Sequence, residues 1–270
     1  MEDATAAATQ ALERASGRRL AGAFAFGDSQ QLADELLALV RVGRKRATAG
    51  VASELPTADQ PFPEAGQSWG LLDGRGKPCF VMELVEVRVG RLDTVDPAFA
   101  WDEGENDRTY EGWLDAHRCF FRRQGVDAPD ALDLTFERFR LVWPDEDAVD
   151  WLAEGVRACD LADRSRTAGL LANRHGADFA GATNRRGADS VDATGVGSTI
   201  DPRRLPALVI EHRGQLAGLL TFRPWPGGLT DVITVDVTGS DASLGTRLRA
   251  GMAELARRER WDRVRWPDEG

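Results

Sequence analysis

Two apolar runs, Ser68–Leu72 and Cys79–Val89, flank the turn Asp73-Gly74-Arg75-Gly76. Runs rich in β-branched and aromatic residues on either side of a Gly-rich turn specify an antiparallel hairpin. The second run is long, and one of its parities reads Cys79, Val81, Glu83, Val85, Val87, Val89. Glu83 is therefore the single carboxylate on an otherwise apolar face, and a candidate pocket residue. A carboxylate satisfied for structural reasons is the equal alternative.

Other elements assemble around this hairpin. Asp28 or Ser29 can cap a helix carrying Leu32, Leu36, Leu37 and Val40, with Gly43 as its stop. Residues 108–123 read as a second helix with Tyr110, Trp113, Leu114, His117, Phe120 and Phe121 on one side, capped by Asn106 or Asp107. Residues 134–143 read as a strand. Pro144-Asp145 is expected to open a further helix bearing Val149, Leu152 and Val156, at the junction of two domains. Beyond a polar stretch from Asn173 to Ser198 come a hairpin (Leu205–Glu211 and Gln215–Phe222), a strand Asp231–Val237, a helix from about Ser243 to Arg260 and a short strand Arg263–Trp266. The expected organisation is a flexible tail over 1–17, a first domain over 18–145 and a second over 146–270. The class is α+β, a small β-barrel with flanking helices followed by an α/β domain with a mainly antiparallel sheet.

Charge narrows the partners. The chain of 270 residues has a net charge of −10, and residues 1–146 hold 17 basic against 26 acidic residues. No broad basic field is present to attract DNA. RNA would have to be held in a local groove. Cys79, Cys119 and Cys159 are far apart, and His117, His175 and His212 are equally scattered, which points to reduced thiols and no metal site. Acidic residues at Glu2, Asp3 and Glu13, with no apolar run near 18 residues, argue against a signal peptide or membrane span. The expected location is the cytoplasm.

Only two of the 34 basic residues are lysine, Lys45 and Lys77. Lys45 lies in Gly43-Arg44-Lys45-Arg46-Ala47-Thr48, where an amine and a hydroxyl three residues apart can converge on one carbonyl or anion. The same residues also suit a solvated basic helix terminus. Glu103-Gly104-Glu105-Asn106-Asp107-Arg108 precedes the aromatic helix and carries more carboxylates than capping requires. His117 reads as a core histidine with a backbone partner.

These segments together resemble the ASCH domain, a PUA-like β-barrel family. The carrying residues are Phe26-Gly27-Asp28-Ser29, Gly43-x-Lys45-x-x-Thr48, Leu72-Asp73-Gly74-x-Gly76-x-Pro78, Glu103-Gly104-Glu105-x-Asp107-Arg108, Trp113-x-x-x-His117 and Phe136-Glu137-Arg138-Phe139-Arg140, across roughly residues 22–144. The resemblance implies binding of a nucleoside, nucleotide or RNA base, and family members have been linked to RNA binding, ribonuclease activity and hydrolysis of N(4)-acetylcytidine. On the amidohydrolase pattern Lys45, Thr48 and Glu105 are the catalytic trio, with Thr48 attacking the acetyl carbonyl and Lys45 taking its proton. Glu83, Glu103, Arg44, Arg46 and Arg108 would line the substrate, and no cofactor is implied. The leading expectation is amide hydrolysis of an acetylated nucleoside. The alternative is a non-catalytic RNA-binding module or ribonuclease, with Arg44, Arg46, Arg122 and Arg123 on phosphates.

The second half resembles the GNAT acetyltransferases more distantly, through its hairpin and through Ser240-Asp241-Ala242-Ser243-Leu244-Gly245-Thr246-Arg247 at the position of their pyrophosphate loop. That resemblance implies acetyl-CoA held by Ser243, Gly245, Thr246 and Arg247 at a helix N-terminus, and an N-acetyltransferase activity as a third reading. A domain that only binds CoA or a partner, or packs on the first, is the plainer reading.

Overall fold

The computed structural model describes residues 2–54, 62–144, 151–159, 163, 166, 167, 205–239 and 241–267. The chain divides into two compact units, Met1–Ala148 and Val149–Gly270.

The first unit begins with α1 (Glu2–Ser16) and β1 (Gly22–Phe24). The sequence reading expects a flexible tail over 1–17; instead α1 places Ala8 and Leu12 in a cluster with Leu20, Ala23, Leu72 and Val81. Small alanine side chains let this helix lie close on the sheet, and Leu12 supplies the anchor. α2 (Gln30–Arg41) follows, its N-terminus capped by Ser29, whose hydroxyl accepts from the Leu32 N–H. Ala33, Leu36, Leu37 and Val40 form its buried stripe.

Five strands make one curled sheet in the order β1-β3-β4-β5-β2, with β2 (Ala47–Val51), β3 (Ser68–Leu72), β4 (Pro78–Arg91) and β5 (Asp133–Trp143). All neighbours are antiparallel except β1 and β3. The sheet is a half-barrel, with β1 and β2 as its two edges, rather than a closed barrel. Register shifts at Val81/Met82 and Leu84/Glu86 bend β4. Along β4, Phe80, Met82 and Leu84 share one parity and enter the core with Phe26, Trp69 and Phe139, while Val81 on the other face joins the α1 cluster. A second cluster, on the other side of β2 and β5, gathers Ala47, Leu134 and Phe136 with Phe99 of α3 (Pro97–Glu103) and Trp113 and Phe121 of α4 (Tyr110–Arg123). The cap of α4 is Thr109, not Asn106 or Asp107; Asp107 instead accepts from the backbone N–H and hydroxyl of Thr109.

In the second unit six strands follow the order β11-β10-β9-β8-β7-β6, antiparallel except for β10 with β11. They are β6 (Trp151–Ala153), β7 (Val156–Ala158), β8 (Ala207–His212), β9 (Gln215–Trp225), β10 (Leu229–Val237) and β11 (Arg263–Arg265), with α5 (Ser243–Glu259) between the last two. The expected helix through Leu152 and Val156 is a hairpin: Gly155, at φ +70°, makes the turn that a helix would not need. The polar stretch 173–198 lies outside the described residues. No helix among the described residues is long and apolar enough to cross a membrane.

Candidate functional site

Lys45 is delivered by the way α2 ends. The N–H groups of Arg44 and Lys45 both donate to the Leu39 carbonyl, at 2.9 and 3.1 Å, wrapping the chain back over the last turn. The Arg46 N–H then donates to Asp102 O at 2.6 Å, and Arg46 O accepts from the Phe139 N–H at 2.9 Å. The backbone on either side of Lys45 is thereby tied to α2, α3 and β5, and Lys45 itself is 0% exposed.

The carboxylates arrive from the end of α3. Its C-cap is Gly104, left-handed at φ 75°. A Cβ there would lie 2.2 Å from the Arg44 carbonyl oxygen, so only glycine permits this approach of the two segments. Arg44 locks it, donating from Nε to Gly104 O at 2.8 Å and from Nη2 to Asn106 O at 2.7 Å. The result places Lys45 Nζ 2.6 Å from Glu105 Oε1 and 3.6 Å from Glu103 Oε1. The Phe26 ring lies 5.1 Å from the same nitrogen and stacks on Phe139.

Glu103 is 2% exposed. It accepts from the Trp113 indole N–H and from the Ala49 backbone N–H. Burial pushes its carboxyl up to about 8; Lys45 pulls the other way and Glu105 adds to the rise. Burial thus favours the protonated acid beside the Lys45–Glu105 pair. His117 stacks on Trp113 with ring centres 3.7 Å apart, and its Nδ1 lies 3.0 Å from Trp113 O. Burial lowers its imidazole to about 4, so it too is neutral.

The sequence-derived candidates sort unevenly. Lys45, Glu103 and Glu105 meet in one cluster. In this cluster the Lys45 amine is clasped by two carboxyl groups, the shorter contact being to Glu105. Thr48 follows on β2, directly opposite Glu137 of β5. Arg46 Nη1 donates to the Val40 and Lys45 carbonyls at 2.8 Å, and Arg44 serves the clasp above. Arg108 is buried against Trp101, its guanidinium 3.5 Å from the ring, and it holds the acidic loop. Glu83 lies elsewhere, paired with Arg18 at 3.1 Å and Arg140 at 2.7 Å. Glu137, buried on the face of Thr48, is not among the sequence-derived candidates; the signal for it is a lone acid between Thr135 and Phe139 on one strand parity.

In the second unit, the Ser243 N–H at the start of α5 already donates to the Asp241 carboxylate at 2.9 Å. The Ser243 hydroxyl and amide hold that carboxyl below its usual range. Arg247 donates from Nε and Nη2 to the Glu154 carbonyl at 2.8 and 2.6 Å. Gly245 and Thr246 sit in the first turn of α5.

Residues 22–143 match the family model described as the ASCH domain. No curated protein matches the chain. Among solved structures, an ASCH domain from Lactobacillus crispatus JV V101 is 24% identical, with a TM-score of 0.43 over 52% of this chain and 90% of that one. A protein from Enterococcus faecalis V583 is 23% identical, with a TM-score of 0.44 over 56% and 96%. A ribosomal-protein-alanine N-acetyltransferase from Brucella melitensis biovar Abortus 2308 is 18% identical, with a TM-score of 0.30 over 41% and 77%.

Proposed function

We propose, from the match of residues 22–143 to the ASCH domain, that the first unit binds a nucleoside-sized substrate and hydrolyses an amide on it, N(4)-acetylcytidine being the model compound. The observation that carries the reading is the buried Lys45 ammonium, fixed between Glu105 and Glu103 three residues before a threonine hydroxyl. Thr48 is the nucleophile. Lys45 donates to the carbonyl oxygen as it gains charge, where a preorganised cation acts with little reorganisation. Glu105 orients Lys45, and Glu103 keeps the site from carrying a second uncompensated charge. Phe26, beside Lys45, offers an apolar surface on which a base can lie.

An RNA module reading phosphates through Arg44 and Arg46 is less favoured, because both guanidinium groups serve backbone carbonyls. Two features support a small neutral substrate over a polyanion: the excess of acidic residues in 1–146 and the burial of the ammonium. The test is chromatographic: wild-type protein converts N(4)-acetylcytidine to cytidine, and Lys45→Met does not. Absence of turnover by the wild type at high enzyme concentration would sink the amidohydrolase reading.

A further inference from the structure

β5 separates its residues cleanly between two faces. Leu134 and Phe136 pack with α3 and α4, and on that face Arg138 binds Glu86 and Asp102. Phe139 and Leu141 pack instead with Phe26, and strand alternation puts Thr135 and Glu137 on the side of Phe139. On β2, Ala47, Ala49 and Val51 face the α3–α4 cluster, which leaves Thr48 on the side of Glu137. The register sets Thr48 directly opposite Glu137, and directly opposed residues hold their Cβ atoms about 4.5–5.5 Å apart. One rotamer change or one water spans the gap from hydroxyl to carboxyl.

Glu137 is 9% exposed. Its Oε1 accepts from the Thr135 hydroxyl at 2.8 Å, and no cation pairs with it among the described residues. Its neighbours on this face are Thr48 and Gly50 of β2, Val87 of β4, and Thr135 and Phe139 of β5, none of them titratable. The charged groups beside it in register, Glu86, Arg88 and Arg138, lie on the other face, where Arg88 covers Phe136 and Arg138 covers Phe99; Arg46, two residues before Thr48, donates from Nη1 to the Val40 and Lys45 carbonyls. A carboxyl sunk into a sheet without a cation costs stability unless it is protonated, and such groups mark sites of proton transfer. Burial raises this one to about 7, against the pull of the Thr135 hydroxyl.

We propose that Glu137 is the catalytic acid–base group of this site, taking the proton of the Thr48 hydroxyl and returning it to the leaving amine. The assignment rests on the reading of Thr48 as nucleophile in amide hydrolysis. As the Thr48 Oγ1–carbon bond forms, the hydroxyl proton passes to the Glu137 carboxylate and the carbonyl oxygen gains charge beside Lys45. The carbon–nitrogen bond then breaks, and the Glu137 proton goes to the departing nitrogen. Water next adds to the Thr48 ester and gives its proton to Glu137. Thr48 Oγ1 leaves with that proton, so one amide and one water yield one acid and one amine.

The test compares wild type, Glu137→Gln and Glu137→Asp on N(4)-acetylcytidine across the pH range, with circular dichroism to establish folding. A base must be ionised to act, so wild-type kcat/KM should rise with pH through the neutral region. Glu137→Gln should lose kcat by about 10²–10⁴-fold with little change in KM, and lose that rise. Glu137→Asp should keep part of the rate with the rise displaced along the pH axis. Wild-type kcat, or an unchanged rise, in folded Glu137→Gln would overturn the assignment of Glu137 while leaving the amide-hydrolysis reading intact. If Glu137→Gln does not fold, Glu137→Asp decides, and a profile identical to wild type overturns the proposal. A wild type that does not turn over, or a Lys45→Met variant as active as wild type, overturns the amide-hydrolysis reading and this assignment with it.

Discussion

Lys45 Nζ lies 3.6 Å from Glu103 Oε1, and both side chains are removed from solvent. Such a pair is commonly two charges, yet the carboxyl here is pushed up to about 8 by burial. The unfolded chain ionises Glu103 near its ordinary value of 4.5, while the folded chain keeps the proton until about 8. The folded state then binds more protons than the unfolded one, and stability falls as pH rises between the two values. Glu137 acts in the same sense up to about 7. Glu103→Gln, which fixes a neutral side chain of the same shape, should shrink the drop in melting temperature between about pH 6 and about pH 9. A drop as large as in wild type would show that Glu103 is ionised in the fold.

Gly104→Ala should disable the site without touching a reacting group. The added Cβ would lie 2.2 Å from the Arg44 carbonyl at a left-handed φ of +75°. The segments must separate, moving Glu105 from Lys45, and the backbone strain alone is worth about 1–3 kcal/mol. Turnover and melting temperature should both fall. A variant with wild-type values of each would show that the close approach is dispensable.

Glu83→Gln should be nearly silent. Its two ion pairs lie at partly exposed positions, where a pair contributes about 0–1 kcal/mol. Rates of amide hydrolysis within about twofold of wild type are expected. A loss comparable to that of Lys45→Met would return Glu83 to the site.

Acetyl-CoA should not raise the melting temperature of the chain at millimolar concentration. The start of α5 already holds an anion, because Asp241 accepts from the Ser243 amide that a pyrophosphate would need. Arg247 is committed to the Glu154 carbonyl. A concentration-dependent rise, read by differential scanning fluorimetry, would overturn this expectation.

Much of the first unit was legible because its signals are local. Ser29 caps α2, and the strand Ser68–Leu72 keeps its predicted limits. The rest depends on what lies across the fold. Leu152 and Val156 sit four residues apart in either a helix or a hairpin, and only the demand of β8 for a neighbour decides between them. The parity of β4 misplaced Glu83 because both faces of the strand are covered: Phe80, Met82 and Leu84 enter the main core, and Val81 meets α1 on the other side. Lys45, Glu103 and Glu105 could be named from their motifs. The neutral state of Glu103 could not, since it comes from the burial that Trp113 helps provide.

β2 is an edge strand, and strand edges invite pairing with other chains. Here the end of α3 occupies that edge: Asp102 O accepts from the Arg46 N–H and the Glu103 carboxyl from the Ala49 N–H. The clasp that buries Lys45 thus also denies a second chain the backbone donors it would need to extend the sheet. Replacing Glu103 by an apolar residue would remove one of these acceptors and open a seam for self-association. The residues that fix the ammonium also occupy backbone donors along this edge of the sheet.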